Sequence, residues 1–263
     1  MKQHGFIKSG LLALGLAGLL AGASTASAQF VNGGFEDGTF NGWTKGSGYW
    51  DGTWPINTSS YFPSGSNYSA GYDASAIVTP GDDPIVGSLL NRVYAGNYAV
   101  RVNDWVNNNS ISAIKQTVAN YQDTTIFFEW AAVLEASHGS TDSDNFTLRL
   151  TNDTKGITLF NASYNSFDNG SIFSTLGSWY YTAWQVQSLD VSAYIGDTFT
   201  LELLASDCPY GGHAGYVYLD GFGSVIVQPG PGGGAVPEPS TYGMIGAVVL
   251  LGGVFIRRRF AKR

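Results

Sequence analysis

Thr198-Phe199-Thr200-Leu201-Glu202-Leu203 alternates polar and apolar side chains one by one. A β-strand sends successive side chains to opposite faces, so Phe199, Leu201 and Leu203 share one face and Thr198, Thr200 and Glu202 the other. The same period returns where Phe146, Leu148 and Leu150 alternate with Thr147, Arg149 and Thr151, and where Val217 and Leu219 alternate with Tyr216, Tyr218 and Asp220. Thr124 to Trp130 is dense in β-branched and aromatic residues. Gly, Asn, Asp and Ser clusters separate these runs, and no sustained helical period occurs outside the two chain ends. The pattern predicts an all-β antiparallel sandwich over residues 29–227, each sheet with one face buried.

The ends follow other rules. Lys2 and Lys8, an apolar run from Leu11 to Ala21, and Ala26-Ser27-Ala28 have the order of a signal peptide over residues 1–28, cut by signal peptidase before Gln29. Gln228-Pro229-Gly230-Pro231-Gly232-Gly233-Gly234 opens a linker over 228–235, since neither Pro nor Gly sustains a packed element. Tyr242 to Ile256 is uncharged and shorter than the ~20 residues a span usually needs. It is expected to be a single transmembrane helix, with the basic residues 257–263 held in the cytoplasm. The sandwich then sits outside the inner membrane until its tail is cut.

The chain carries 20 acidic and 13 basic residues. Seven of the basic ones are Lys2, Lys8, Arg257, Arg258, Arg259, Lys262 and Arg263, at the two ends, so the sandwich itself is strongly acidic. No cluster of Lys or Arg exists there to neutralise phosphates, which argues against nucleic acid as a partner. Cys208 is the only cysteine, so no intrachain disulfide forms, and on this reading a cysteine-based metal site is excluded.

Val236-Pro237-Glu238-Pro239-Ser240-Thr241, the short apolar segment and the arginine cluster stand in the order of the PEP-CTERM sorting signal, which residues 236–263 resemble. That resemblance implies an exosortase as partner, Val236, Pro237, Glu238 and Pro239 as the sorting motif, and an envelope or exopolysaccharide setting. A second resemblance covers more of the chain. Val31-Asn32-Gly33-Gly34-Phe35-Glu36 followed by Trp43 resembles the first strand of galactose-binding-like jelly rolls, a group that includes many carbohydrate-binding modules. Ala95 to Val102 is similar to their middle strand and Val217 to Phe222 to their closing strand. In such a jelly roll a calcium ion commonly ties first strand to last, which implies Glu36 and Asp220 as calcium ligands, with the backbone at Asn97 as a further candidate. Asp207 to Asp220, with Ala132 to His138, resembles a closing motif of secreted bacterial β-sandwich domains that carries no nameable reaction.

Catalysis is poorly supported. Beyond residue 28 the histidines are His138 and His213, and no Gly-x-Ser-x-Gly elbow occurs. The expectation for His213 is that it orders its glycine-rich turn, and a zinc site from both histidines with Asp207 is the minor alternative. Glu129 and Glu135 are glycosidase candidates only as glutamates, in places equally suited to solvent-facing or turn roles.

Aromatic residues are in excess instead. Trp43, Tyr49, Trp50, Trp54, Tyr61, Phe62, Tyr68 and Tyr72 fall within 30 residues rich in Gly, Ser and Asn. Two readings stand. The rings stack on sugar faces, with Trp50, Trp54 and Tyr61 the glycan-binding candidates, or they fold inward as a local core. Trp43 is expected to be structural. The sequence thus favours a non-catalytic exported module associated with exopolysaccharide. The alternatives are a structural or adhesive matrix protein without glycan specificity, and an unrecognised hydrolase.

Overall fold

A computed structural model describes residues 29–168 and 170–223. The expected signal peptide, linker, membrane helix and sorting tail lie outside the described residues. No described helix is long and apolar enough to cross a membrane.

Among the described residues the strands are β1 (Thr44–Tyr49), β2 (Ala76–Val78), β3 (Asp82–Asp83), β4 (Gly87–Asn91), β5 (Ala99–Val102), β6 (Ser110–Val118) and β7 (Thr125–Glu135). There follow β8 (Asn145–Asn152), β9 (Ile157–Asn165), β10 (Ser174–Leu176), β11 (Trp179–Tyr181), β12 (Gln185–Asp190), β13 (Phe199–Ser206) and β14 (Gly215–Gly223). One sheet runs β1-β6-β13-β8-β9. The facing sheet runs β10-β11-β7-β14-β5-β2, with β12 also pairing with β7, and β3-β4 is a separate hairpin. Every pairing is antiparallel, so the sandwich expected from the alternation is the fold.

The alternation sets the register. Leu201 lies opposite Leu150 and Leu203 opposite Leu148, which puts four apolar side chains on one face of neighbouring strands. They meet Val100, Val102, Phe128, Trp130, Val217 and Leu219 from the other sheet in the central core. Each such side chain, fully buried, contributes roughly 1.5–3 kcal/mol.

The expectation of one buried face per sheet is corrected. Ala131 and Val133 of β7 and Tyr216 and Tyr218 of β14 point away from the central core, yet they are buried beneath Val86, Leu90 and Val93. On the opposite surface Ile111 and Ala113 of β6 and Leu204 of β13 are buried beneath Trp50, Tyr61 and Phe62. Two long connections, residues 50–75 and 79–98, wrap back over the sheets and cover what alternation alone would leave wet. Glycines on β1 permit the first of these. A Cβ on Gly48 would stand 2.2 Å from the Asn67 carbonyl oxygen, and one on Gly46 would stand 2.8 Å from the Tyr61 carbonyl oxygen.

The expected first strand at Val31 to Glu36 is a run of turns. Asn32 and Phe35 adopt left-handed backbone, with φ of 51° and 60°. The Asn32 side-chain amide donates to Asp37 Oδ1 at 2.7 Å and to the Thr39 carbonyl at 2.9 Å, which holds that turn closed. The segment still touches the closing strand: Phe222 N–H donates to the Gly33 carbonyl at 3.2 Å. A Cβ at position 33 would meet that strand's backbone at 1.5 Å.

Candidate functional site

The aromatic connection after β1 divides its rings between two jobs. Trp50 and Tyr61 are buried with Phe62 against the outer face of β6 and β13, so neither offers a free face to a sugar. This corrects two of the three glycan-binding candidates. Trp50 Nε1–H is satisfied by the Thr53 carbonyl at 3.2 Å, as a buried indole requires. Trp54, the third, is 40% exposed, and its ring centroid lies 6.4 Å from that of Trp50. Tyr49, Tyr68 and Tyr72 are also exposed, with the Tyr49 and Tyr72 rings edge-on at 5.9 Å. Trp43 is buried in the central core and stacks on Phe35 at 5.0 Å, in line with its expected structural place.

Polar contacts fasten this connection alongside the inner rings. Ser69 N–H donates to the Ser47 carbonyl at 2.9 Å, and Ser47 Oγ–H donates back to the Ser69 carbonyl at 2.8 Å. Lys45 pairs with Asp73, and Lys115 lies 4.2 Å from the Phe62 ring centroid. The exposed rings therefore stand on a fixed base.

The two candidate calcium ligands close on one loop, residues 94–98. Asp220 Oδ2 accepts N–H groups of Tyr94 at 3.0 Å and Ala95 at 3.1 Å, and its Oδ1 accepts Gly221 N–H at 2.7 Å. Glu36 accepts N–H groups of Asn97 at 3.0 Å and Tyr98 at 3.1 Å, together with the Asn97 side-chain amide at 3.2 Å. Each carboxylate thus ties that loop, one from the first segment and one from the closing strand. Opposite Asp220 in the ladder lies Glu129, fully buried, with neither oxygen meeting a hydrogen-bond donor. Burial pushes the Glu129 carboxyl up to about 8. Burial, and to a smaller extent the neighbouring Glu129, also hold Asp220 well above the ordinary carboxylate range, against the opposing pull of its amide donors. Gly221, with φ of 64°, makes room for this: a Cβ there would lie 1.9 Å from Glu129 Oε2. Sequence reasoning missed Glu129 as a buried group because its face of the strand is covered by residues more than thirty positions away.

Glu129 and Glu135 lie six residues apart on β7, which at strand rise is about 20 Å. That separation is far beyond the ~5–9.5 Å of a glycosidase pair. Glu135 instead accepts Ala214 N–H at 3.2 Å.

At the end of the sandwich where β7, β13 and β14 meet, the structure brings His138 and His213 together, their ring centroids 4.8 Å apart. Asp207 does not join them. It is buried, and it accepts the Asn103 side-chain amide at 2.9 Å and Ser110 Oγ–H at 3.0 Å. Its neighbour Cys208 takes that place, with Sγ 3.6 Å from His213 Nδ1. The sequence carried no local signal for this convergence, since His138 and Cys208 are seventy residues apart.

Among solved structures, the chain is similar to TmCBM61 in complex with β-1,4-galactotriose, at 15% identity and a TM-score of 0.40, covering 74% of this chain and 97% of that one. It is also similar to Caldicellulosiruptor saccharolyticus CBM27-1 in complex with mannohexaose, at 14% identity and a TM-score of 0.36, covering 75% and 96%. A cleaved adhesin domain of Lys-gingipain from Porphyromonas gingivalis matches at 13% identity and a TM-score of 0.35, covering 72% and 94%. No curated protein matches the chain by sequence. Residues 235–259 match the PEP-CTERM protein-sorting motif, so the chain carries that motif at the place its sequence indicated.

Proposed function

We propose that this is an exported, exosortase-processed surface protein whose sandwich binds polysaccharide without catalysis, through the exposed rings of Tyr49, Trp54, Tyr68 and Tyr72. The observation that carries the reading is the division of one aromatic-rich connection into buried anchors and exposed rings. Rings already fixed in place lose little conformational freedom when a ligand arrives, so more of the stacking energy appears as affinity. Their flat faces match the apolar faces of sugars, and the Tyr hydroxyls and Trp N–H groups can meet sugar hydroxyls. The sorting motif supports a destination at the envelope, where the cell's own exopolysaccharide is the nearest glycan.

Protein released by a host that carries an exosortase tests both halves. Its intact mass should begin at Gln29 and lack Arg257 to Arg263. On a polysaccharide panel it should be retained by at least one glycan. Correct processing with no retention anywhere would leave the matrix-protein reading in its place.

A structural calcium ion at Glu36 and Asp220 is a separate proposal. In its favour is the third carboxylate, Glu129, buried beside Asp220 without a donor. Against it, the amides of residues 94–98 and 221 already occupy the oxygens of the two proposed ligands. The ion's signature is a melting temperature that falls on adding EGTA in wild type and much less in Asp220→Ala. An unchanged melting temperature in wild type would leave the amide contacts as the sole tie.

A further inference from the structure

We propose that His138, Cys208 and His213 form a binding site for one borderline-soft divalent transition-metal ion, zinc foremost, with an open coordination position facing solvent. One ligand atom from each residue lies within 4.8 Å of the other two. For zinc held tetrahedrally with Zn–S of ~2.3 Å and Zn–N of ~2.0–2.1 Å, neighbouring ligand atoms stand about 3.5 Å apart. The Cys208 Sγ to His213 Nδ1 distance, 3.6 Å, already has that value, and the third ligand needs to move by only about an ångström.

The frame around these side chains is fixed by other groups. Cys208 N–H donates to the His213 carbonyl at 3.0 Å, and Gly211 N–H returns to the Cys208 carbonyl at 3.1 Å, closing a tight turn. Gly211 takes φ of 69° inside that turn. Gly212 N–H points at Cys208 Sγ from 3.4 Å, a contact that favours sulfur as thiolate. Asn107 and Asn109 donate to the carbonyls of Gly212 and Pro209, which pins the turn to the connection before β6. Tyr210 packs edge-on against His138 at 4.8 Å, and Ser137 Oγ, 3.1 Å from His213 Nδ1, gives up that contact when the nitrogen takes the ion.

Burial argues for metal over the other uses of a cysteine beside a histidine. Cys208 is fully buried, which bars it from an intermolecular disulfide and from attacking a macromolecular substrate. His138 is exposed and His213 half-buried, so an ion has a path in from solvent. A thiolate with two imidazoles selects zinc or copper over magnesium or calcium. The ligands come from the ends of β7 and β13 and from the turn entering β14, so the ion would also join the two sheets at one end.

The test uses the secreted protein, stripped by chelation and then titrated with zinc, copper or cobalt. Wild type should take up one zinc per chain and melt at a higher temperature when loaded. The cobalt form should show a thiolate-to-cobalt charge-transfer band. His138→Ala, a change at an exposed position that leaves the turn's backbone contacts intact, should weaken uptake by more than about tenfold, the loss that even an outer-sphere change can bring. Cys208→Ser should lose the cobalt band. Saturable copper uptake in place of zinc, also lost in His138→Ala, would support the site with copper as occupant. No saturable uptake of either metal would overturn the proposal, as would equal affinity in His138→Ala or a cobalt spectrum without the thiolate band.

Discussion

Two long connections lie on the two outer faces of this sandwich, and they are held down by opposite chemistry. The first, after β1, is fastened by rings: Trp50, Tyr61 and Phe62 form a dry cluster with Ile111, Ala113 and Leu204. The second, between β2 and β5, adds carboxylates to its apolar contacts. Asp83 accepts the hydroxyls of both Tyr216, at 2.9 Å, and Tyr218, at 2.8 Å, while Asp220 and Glu36 hold residues 94–98. A cover fixed mainly by rings depends on volume and area. A cover fixed over the buried acids Glu129 and Asp220 depends on protons. The difference also explains why exposed rings crowd the first cover: its anchors and its exposed surface are drawn from the same aromatic-rich stretch.

The strongest blow to the ring-fastened cover is Trp50→Ala. Removing a fully buried indole typically costs about 3–5 kcal/mol, through lost transfer energy and the cavity left behind. Urea unfolding should show a loss of that size, read as the midpoint shift multiplied by the m-value. Amide exchange should rise first in residues 57–67, which carry Tyr61 and Phe62 of that ring cluster. A loss under about 1 kcal/mol would mean that the cover does not depend on its anchor, and the comparison would fail.

How far the sequence foretold this molecule depends on where each signal sits. Alternation within β8, β13 and β14 is local, and it was enough for the sandwich and for which side chains face its central core. Coverage of the outer faces is not local. Tyr216 and Tyr218 alternate with Val217 and Leu219 as a solvent face would, and only Asp83, Val86, Leu90 and Val93, more than 120 residues earlier, make that face a second core. Glu129 misleads in the same way. The turn at Asn32 and Phe35 was misread as a strand because left-handed backbone at residues other than glycine leaves little trace in composition. Of the glycan candidates, Trp50, Trp54 and Tyr61 look alike as letters, and packing alone separates them.

A second effect should come from pH, and of the two covers it should touch the second. Glu129 titrates from about 8 in the fold against 4.5 unfolded, because burial penalises its charged form. Between those values the native state holds more protons than the unfolded state, so stability falls as pH rises through that window. The contribution is fully present below 4.5 and gone above about 8. Burial raises Asp220 too, and with the same sign. Melting temperature should therefore decline from pH 5 to pH 8, with amide protection, corrected for the intrinsic pH dependence of exchange, falling at residues 94–98 and unchanged at residues 57–67. Glu129→Gln, which stays neutral, should flatten that slope. A slope identical in the variant would show that Glu129 does not set it, and equal exchange in both covers would erase the distinction between them.

The smallest expected effect on the fold is the one that bears most on function. Trp54 is 40% exposed, packs against Trp50 at 6.4 Å between centroids, and takes no part in the buried ring cluster. Trp54→Ala should leave stability within about 0.5 kcal/mol, as surface changes away from special features usually do. Retention on whichever polysaccharide the panel identifies should weaken, because a lost stacking ring costs about 0.5–1.5 kcal/mol, roughly a two- to tenfold change in affinity. Set beside Trp50→Ala, the result is a double dissociation within one five-residue stretch. The inner tryptophan governs unfolding, and the outer one governs binding. Unchanged retention in Trp54→Ala would remove this ring from the glycan site. A fall in melting temperature as large as that of Trp50→Ala would place both rings in one core and leave the connection without a separate binding face.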